Sequence, residues 1–252
     1  MAGTVHHLER MTSPEIAEAI RAGCTRVIVP CGAVEQHGPH MALRMDADHA
    51  EALAPMVAAG LGGAFIAPTI AVGCSRHHLA FSGTISLSEA TFVAICRDYC
   101  TSLAQHGIRE ILFFSGHIGN FPVLEGALAG LRSAVPGCRV EAFTDSTAWL
   151  DGWSRAVARA GGKPESVGGH ADIAETSILL AIRPEAVRVS RIEAGRIGLM
   201  TRAELEVMWR DGLRSVSANG ILGDARGASA AIGQQCLSAI ADLLVSDFRS
   251  KA

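Results

Sequence analysis

The sequence is poor in the features that would place it at a glance. Aromatic residues make up 5% of its 252 positions and charged residues 19%. No run of lysine or arginine occurs, and 22 basic residues against 25 acidic ones leave a formal net charge of −3. A weakly acidic chain without a basic patch lacks the electrostatic footprint for nucleic acid, and so few aromatics leave little for a base-stacking platform. The seven cysteines include no Cys-x-x-Cys pair. An odd count without that spacing suggests neither a disulfide framework nor a zinc ribbon, and reduced thiols fit a cytoplasmic protein. Cys96 and Cys100 lie in an apolar stretch and read as core. Met1 to Arg10 holds two histidines, a glutamate and an arginine but no apolar run, so no secretory signal is expected. There is also no Gly-x-Ser-x-Gly elbow and no P-loop. Residues 52–75 carry no charge, yet Pro55, Pro68 and four glycines in that window favour helix, turn and buried strand over a membrane span.

What is present is apolar material, 49% of the chain, set in short runs that alternate with helical patterns. Strands are expected at Thr25–Pro30, Phe65–Val72, Glu110–Phe114 and Arg139–Thr144. Helices are expected at Ala47–Ala58 with Asp46 as N-cap, Ser88–His106, Asn120–Ala134, Ala171–Ile182 and Ala230–Phe248. That order argues for one α/β domain over residues 1–252 with a mainly parallel sheet. Residues 185–228 are the least regular and are expected to carry strand additions or oligomer contacts.

Ten histidines are many for this length, and three clusters hold the chemistry. The first is Glu35-Gln36-His37-Gly38-Pro39-His40, followed by Asp46 and Asp48. Residues two apart in an extended segment share a side, so Glu35 and His37 project together. A carboxylate with an imidazole suits Zn, Fe or Mn, although Glu-x-His alone reads more readily as a solvated polar loop. The second is Ser115-Gly116-His117-Ile118-Gly119-Asn120, which places an imidazole at a strand end between glycines. The third is Gly168-Gly169-His170-Ala171-Asp172, with Glu175 leading into an apolar helical run. A buried carboxylate there needs a partner, and a metal would be one; helix-dipole stabilisation is the plainer reading. Together the clusters supply Glu35, His37, Asp46, His117 and Glu175, enough for two divalent ions. His77 and His78, after Cys74-Ser75, either line the same site or form a surface pair.

In order and spacing these motifs resemble the creatininase (creatinine amidohydrolase) family over roughly residues 10–245. His78, Phe81 and Gly83-Thr84 are similar to its His-x-x-Phe-Pro-Gly-Thr stretch, with Ser82 for the proline, and Gly223-Asp224 to its closing Gly-Asp-Pro, with Ala225 for the proline. The resemblance implies a three-layer α/β fold, with a mainly parallel central sheet flanked by helices, and a two-metal amidohydrolase site, Zn first and Mn or Fe as alternatives. It places Glu35, His37, Asp46 and His117 on ligand positions, with Asp46 bridging. Glu175 would be the remaining ligand and a catalytic group, and His170 would move protons at the scissile bond. Ser75, His78, Asn120 and Trp149 are expected on the substrate side, Trp149 as a lid tryptophan. The resemblance also implies a homo-oligomer, a hexamer, acting on a small molecule without nucleic acid or membrane.

Departures from creatininase itself point away from creatinine as substrate. Gly119 stands where creatininase has a carboxylate and Ser166 where it has a tryptophan. Gly119 is expected to leave room for a bulkier group, and Asp172 to add charge near the pocket mouth or face solvent. A non-peptide C–N bond, cyclic or linear, is the expected target, formamides included. A peptide-trimming enzyme, a hydrolase or isomerase of a sugar-like substrate, and an inactive scaffold are the rival readings.

Overall fold

The computed structural model describes residues 5–198 and 200–251. Its central sheet has five parallel strands: β1 (Val5–His7), β2 (Arg26–Cys31), β3 (Ala64–Ile66), β4 (Glu110–Ser115) and β5 (Arg139–Ala142), in the order β1-β3-β2-β4-β5. Apolar residues run continuously along β2 and β4 because both faces of the sheet are covered. Val27, Val29, Ile111 and Phe113 point into one core, against α3 (Glu89–Gln105) and α4 (Phe121–Ala134). Ile28, Leu112 and Phe114 point into the other, against α2 (Met45–Gly60), α5 (Ser146–Arg159), α6 (Ile173–Ile182) and α8 (Ala230–Ser250). The period-two alternation of a strand thus builds three layers from one sheet.

The remaining elements are α1 (Ser13–Arg21), α7 (Arg202–Asp211), and an antiparallel pair, β6 (Val167–His170) with β7 (Leu222–Gly223). Expected and observed elements differ where local signals compete. Of the extended run 65–72 only Phe65 and Ile66 fall in a strand, β3, since Pro68 has no N–H to give to a ladder. Helix α2 starts two residues early, with Arg44 at its N-cap, so Asp46 sits inside the first turn. Helix α6 starts at Ile173, capped by the Asp172 side chain. The irregular stretch 185–228 does contain an added strand, β7, but also helix α7, announced by a Thr201/Glu204 capping box. No described helix is long and apolar enough to cross a membrane.

The chain runs from β2 outward to β3, then returns past β2 to β4. This reversal opens a crevice at the carboxyl ends of β2 and β4, where open α/β sheets take their ligands. The loops leaving those two strands carry Glu35 and His37, and His117.

Candidate metal centre

Each functional side chain is aimed by backbone it cannot easily leave. His117 follows β4, where the Ser115 hydroxyl accepts from the His117 N–H at 3.0 Å and donates to its carbonyl at 2.9 Å. Asn120 ties this turn to its neighbours, donating to Gly32 O and Ser115 Oγ and accepting from the Cys74 N–H. His170 and Glu175 flank a tight turn in which Ala171 has a φ of 53°. Asp172 holds that turn by accepting four backbone N–H groups, those of Gly168, Gly169, Ala174 and Glu175.

The three clusters converge. Glu35, Asp46 and His117 place ligand atoms within 4.8 Å of one another, as do His37, Asp46 and Glu175, and Glu35, His37 and His170. His117 Nδ1 is 3.3 Å from Glu35 Oε1 and 3.4 Å from Asp46 Oδ2; His37 Nε2 is 3.3 Å from Asp46 Oδ1 and 3.7 Å from Glu175 Oε2. All five side chains are buried.

The hydrogen bonds decide which ring nitrogens face the centre. His37 Nδ1 donates to Glu35 O at 3.0 Å, His117 Nε2 to Cys74 O at 3.2 Å and His170 Nε2 to Gln36 O at 2.8 Å. In each ring the opposite nitrogen is aimed at the carboxylates. Metal-ligating histidines have this arrangement, the second nitrogen being anchored on a carbonyl. Both oxygens of Glu35 and Oδ2 of Asp46 are buried without a hydrogen-bond partner among the described residues. Unpartnered buried carboxylate oxygens are costly, and a divalent cation would satisfy them. The residues present therefore fit a metal centre.

The electrostatics agree. Burial pushes Glu35 up, but His117, His78 and His170 outweigh it and hold the carboxyl well below its usual range. Burial lowers His37, yet Asp46, Glu175 and Glu35 raise it to about 10; His117 likewise rises to about 9 beside Glu35 and Asp46. Each of these imidazoles holds a proton where a cation would be favoured. Glu175 is pushed up by burial and by Asp46.

A cavity of 500 Å³ opens onto Glu35, His117, His170 and Glu175. His78 lines it, with Nδ1 3.1 Å from Gln36 Nε2 and Nε2 3.3 Å from Glu35 Oε1. The structure places other expected substrate residues elsewhere. Asn120 is the buried clamp described above, and Ser75 is buried outside the cavity lining, its hydroxyl unpartnered among the described residues. Trp149 is packed in the core between Phe121, Phe143, Trp153 and His49, because α5 turns it inward toward α2 and α8. Asp172 is buried as a helix cap and reaches neither the mouth nor solvent. The space above Gly119 is not free: a Cβ there would lie 2.2 Å from His117 Nε2, so the glycine makes room for the histidine. Sequence reasoning missed the far wall, formed by Leu205, Met208 and Trp209 of α7. Their i, i+3, i+4 spacing was the available signal.

The profile described as Creatininase, creatinine amidohydrolase, matches residues 9–248. The chain belongs to the creatininase family. Among its relatives, the "Mycofactocin precursor peptide peptidase" of Mycobacterium ulcerans (strain Agy99) is 34% identical over 228 residues, covering 87% of this chain and 83% of the relative. The "Creatinine amidohydrolase" of Pseudomonas putida is 29% identical over 195 residues, covering 72% and 74%. Two solved structures are similar throughout. A mutant creatininase of "Zn-Zn type" has a TM-score of 0.76 at 25% identity, covering 98% of this chain and 99% of that one. "Creatininase Mn" has a TM-score of 0.74 at 25% identity, covering 97% and 99%. This creatininase-family chain is thus an amidohydrolase whose fold neighbours are zinc and manganese proteins.

Proposed function

We propose that this hydrolase holds two divalent ions, zinc first and manganese or iron as alternatives, and cleaves a C–N bond in a small neutral amide other than creatinine. The observation that carries the reading is Asp46, which belongs to two ligand triads at once, Glu35–Asp46–His117 and His37–Asp46–Glu175. A carboxylate shared in this way would help to hold both ions. Bound divalent ions would supply hydroxide near neutral pH and polarise the scissile carbonyl.

The chain's own residues do the rest. His170 keeps its Nε2 proton on Gln36 O, which leaves Nδ1 facing the centre, 3.6 Å from Glu35 Oε1 and 3.9 Å from Glu175 Oε2. A proton taken up at Nδ1 is in place to pass to the departing nitrogen. Glu175 is held by the Ala171 N–H and serves both as ligand and as the second catalytic group. His78 lines the cavity and would meet the substrate there; burial lowers it to about 4, which keeps it neutral. The departures at Gly119 and Ser166 and the relatives that trim a precursor peptide support a substrate other than creatinine. The same reading makes the protein a single-domain cytoplasmic homo-oligomer, a hexamer, with no nucleic-acid or membrane partner.

Elemental analysis of chelator-free protein, with a panel of creatinine, N-formyl amines, lactams and short peptides, tests the proposal. Two ions per chain and turnover of a neutral amide are expected, with creatinine poor. Fewer than one ion per chain, or no C–N hydrolysis across the panel, would overturn it.

A further inference from the structure

The reaction cavity has two unlike sides. One is the ligand cluster. The other is the apolar face of α7, with Leu205, Met208 and Trp209, and among the described residues no lysine or arginine lines the cavity. Trp209 is 44% exposed and reaches over His77, their ring centroids 4.5 Å apart. The His77 ring in turn lies 5.8 Å from His117 and nearly parallel to it, at 14°. A column of rings therefore runs from the cavity rim to a residue of the metal-capable cluster. Helix α7 is held over the 3-10 turn Arg76–His78 by the hydrogen bond from Arg76 to Trp209 O.

From this arrangement we propose that α7 is the specificity wall of the enzyme, with Trp209 as the residue that selects a substrate bearing a neutral aromatic or bulky apolar group next to its scissile amide. The inference rests on the hydrolase reading above and narrows it. A planar ring entering the cavity gains offset-stacked or edge contacts with Trp209 and His77 while its amide carbonyl approaches the ligand cluster. An anionic group in the same place would find no lysine or arginine among the lining residues to pair with. The exposed Glu125 at the lining adds negative charge and disfavours an anion further.

Hydroxamic acids, which chelate metal ions and carry a variable side group, probe the wall without turnover. Calorimetric titration of the zinc-loaded protein with acetohydroxamic, phenylacetohydroxamic and succinomonohydroxamic acid reads the preference directly. The phenyl compound is expected to bind about tenfold or more tightly than the methyl one, the scale for burying an aromatic ring. The anionic compound should bind more weakly than the methyl one. Trp209→Ala should bring the phenyl-to-methyl ratio close to one, whereas Trp209→Phe should retain most of it. A wild-type ratio near one, or a ratio that survives Trp209→Ala intact, overturns the specificity wall and leaves the hydrolase reading standing. If no hydroxamate binds, the metal-hydrolase reading fails and takes the wall with it.

Discussion

The carbonyl oxygen of Asp46 occupies the place where a Cβ on residue 116 would sit, 2.2 Å from that ideal position. Gly116 is the residue by which the start of α2 comes down onto the end of β4, and this approach puts Asp46 between the two ligand triads. Gly116→Ala must lift the helix start away from the sheet. A cost of about 1–3 kcal/mol in stability is expected from the overpacking. Denaturant unfolding measures that cost, and metal content should fall with it because the bridging carboxylate is displaced. Full metal content with unchanged stability would show that the approach has slack.

Metal uptake should release protons and strengthen as pH rises. In the metal-free protein His37 and His117 carry pKa values raised to about 10 and about 9, so both are charged at neutral pH and must deprotonate to act as ligands. Zinc titrations in buffers of different ionisation enthalpy should therefore report more than one proton released per chain near pH 7. Buffer-independent heats would contradict the ligand assignment.

The same two histidines give the metal-free protein a particular pH dependence. Their folded-state pKa values lie above the unfolded value of about 6.5. Their contribution to stability is thus fully present below about pH 6.5 and is lost as pH rises through about 9 to 10. Thermal melts of chelator-treated protein should decline across that window, and His37→Gln should flatten the decline.

His49 acts in the opposite direction. It is fully buried between Trp149 and Trp153, neither of its nitrogens has a hydrogen-bond partner among the described residues, and burial lowers it to about 3. A depressed pKa means that the unfolded chain takes up a proton the native state refuses. Native stability is therefore intact above about pH 6.5 and erodes as pH falls toward 3, by an amount on the order of a few kcal/mol. His49→Leu should remove much of this acid sensitivity; an unchanged acid limb in its unfolding profile would assign the loss to other groups.

His170→Ala separates two roles. As a proton carrier, the residue can be removed with metal content intact and kcat lowered about 10²-fold or more. Its Nδ1 also falls within ligand distance of Glu35 and His37, so loss of metal alongside activity would make it a ligand instead.

Much of the ligand set could be read from the sequence because its chemistry is local. Glu35 and His37 share one side of an extended segment, His117 ends a buried strand, and strand and helix periods placed the elements that carry them. Each residue in the two triads that share Asp46 had an ordinary reading alone, as loop, cap or helix-start carboxylate, and only the three clusters taken together pointed to a metal. The parallel sheet was equally legible, since β2 and β4 are continuous apolar runs that only a doubly covered sheet can bury. The tertiary structure decided what lies around that set. Trp149 and Trp209 are both large aromatics on amphipathic helices, and nothing local distinguishes a core tryptophan from one that walls a cavity. The direction of α5 buries the first, and the seating of α7 on the Arg76–His78 turn exposes the second. Asp172 and Gly119 follow the same rule. One became a cap when the turn beside it closed on its carboxylate, and the other became the space that His117 fills. A side chain's role in such cases depends on which distant segment arrives opposite it, and packing between elements far apart in the chain settles that.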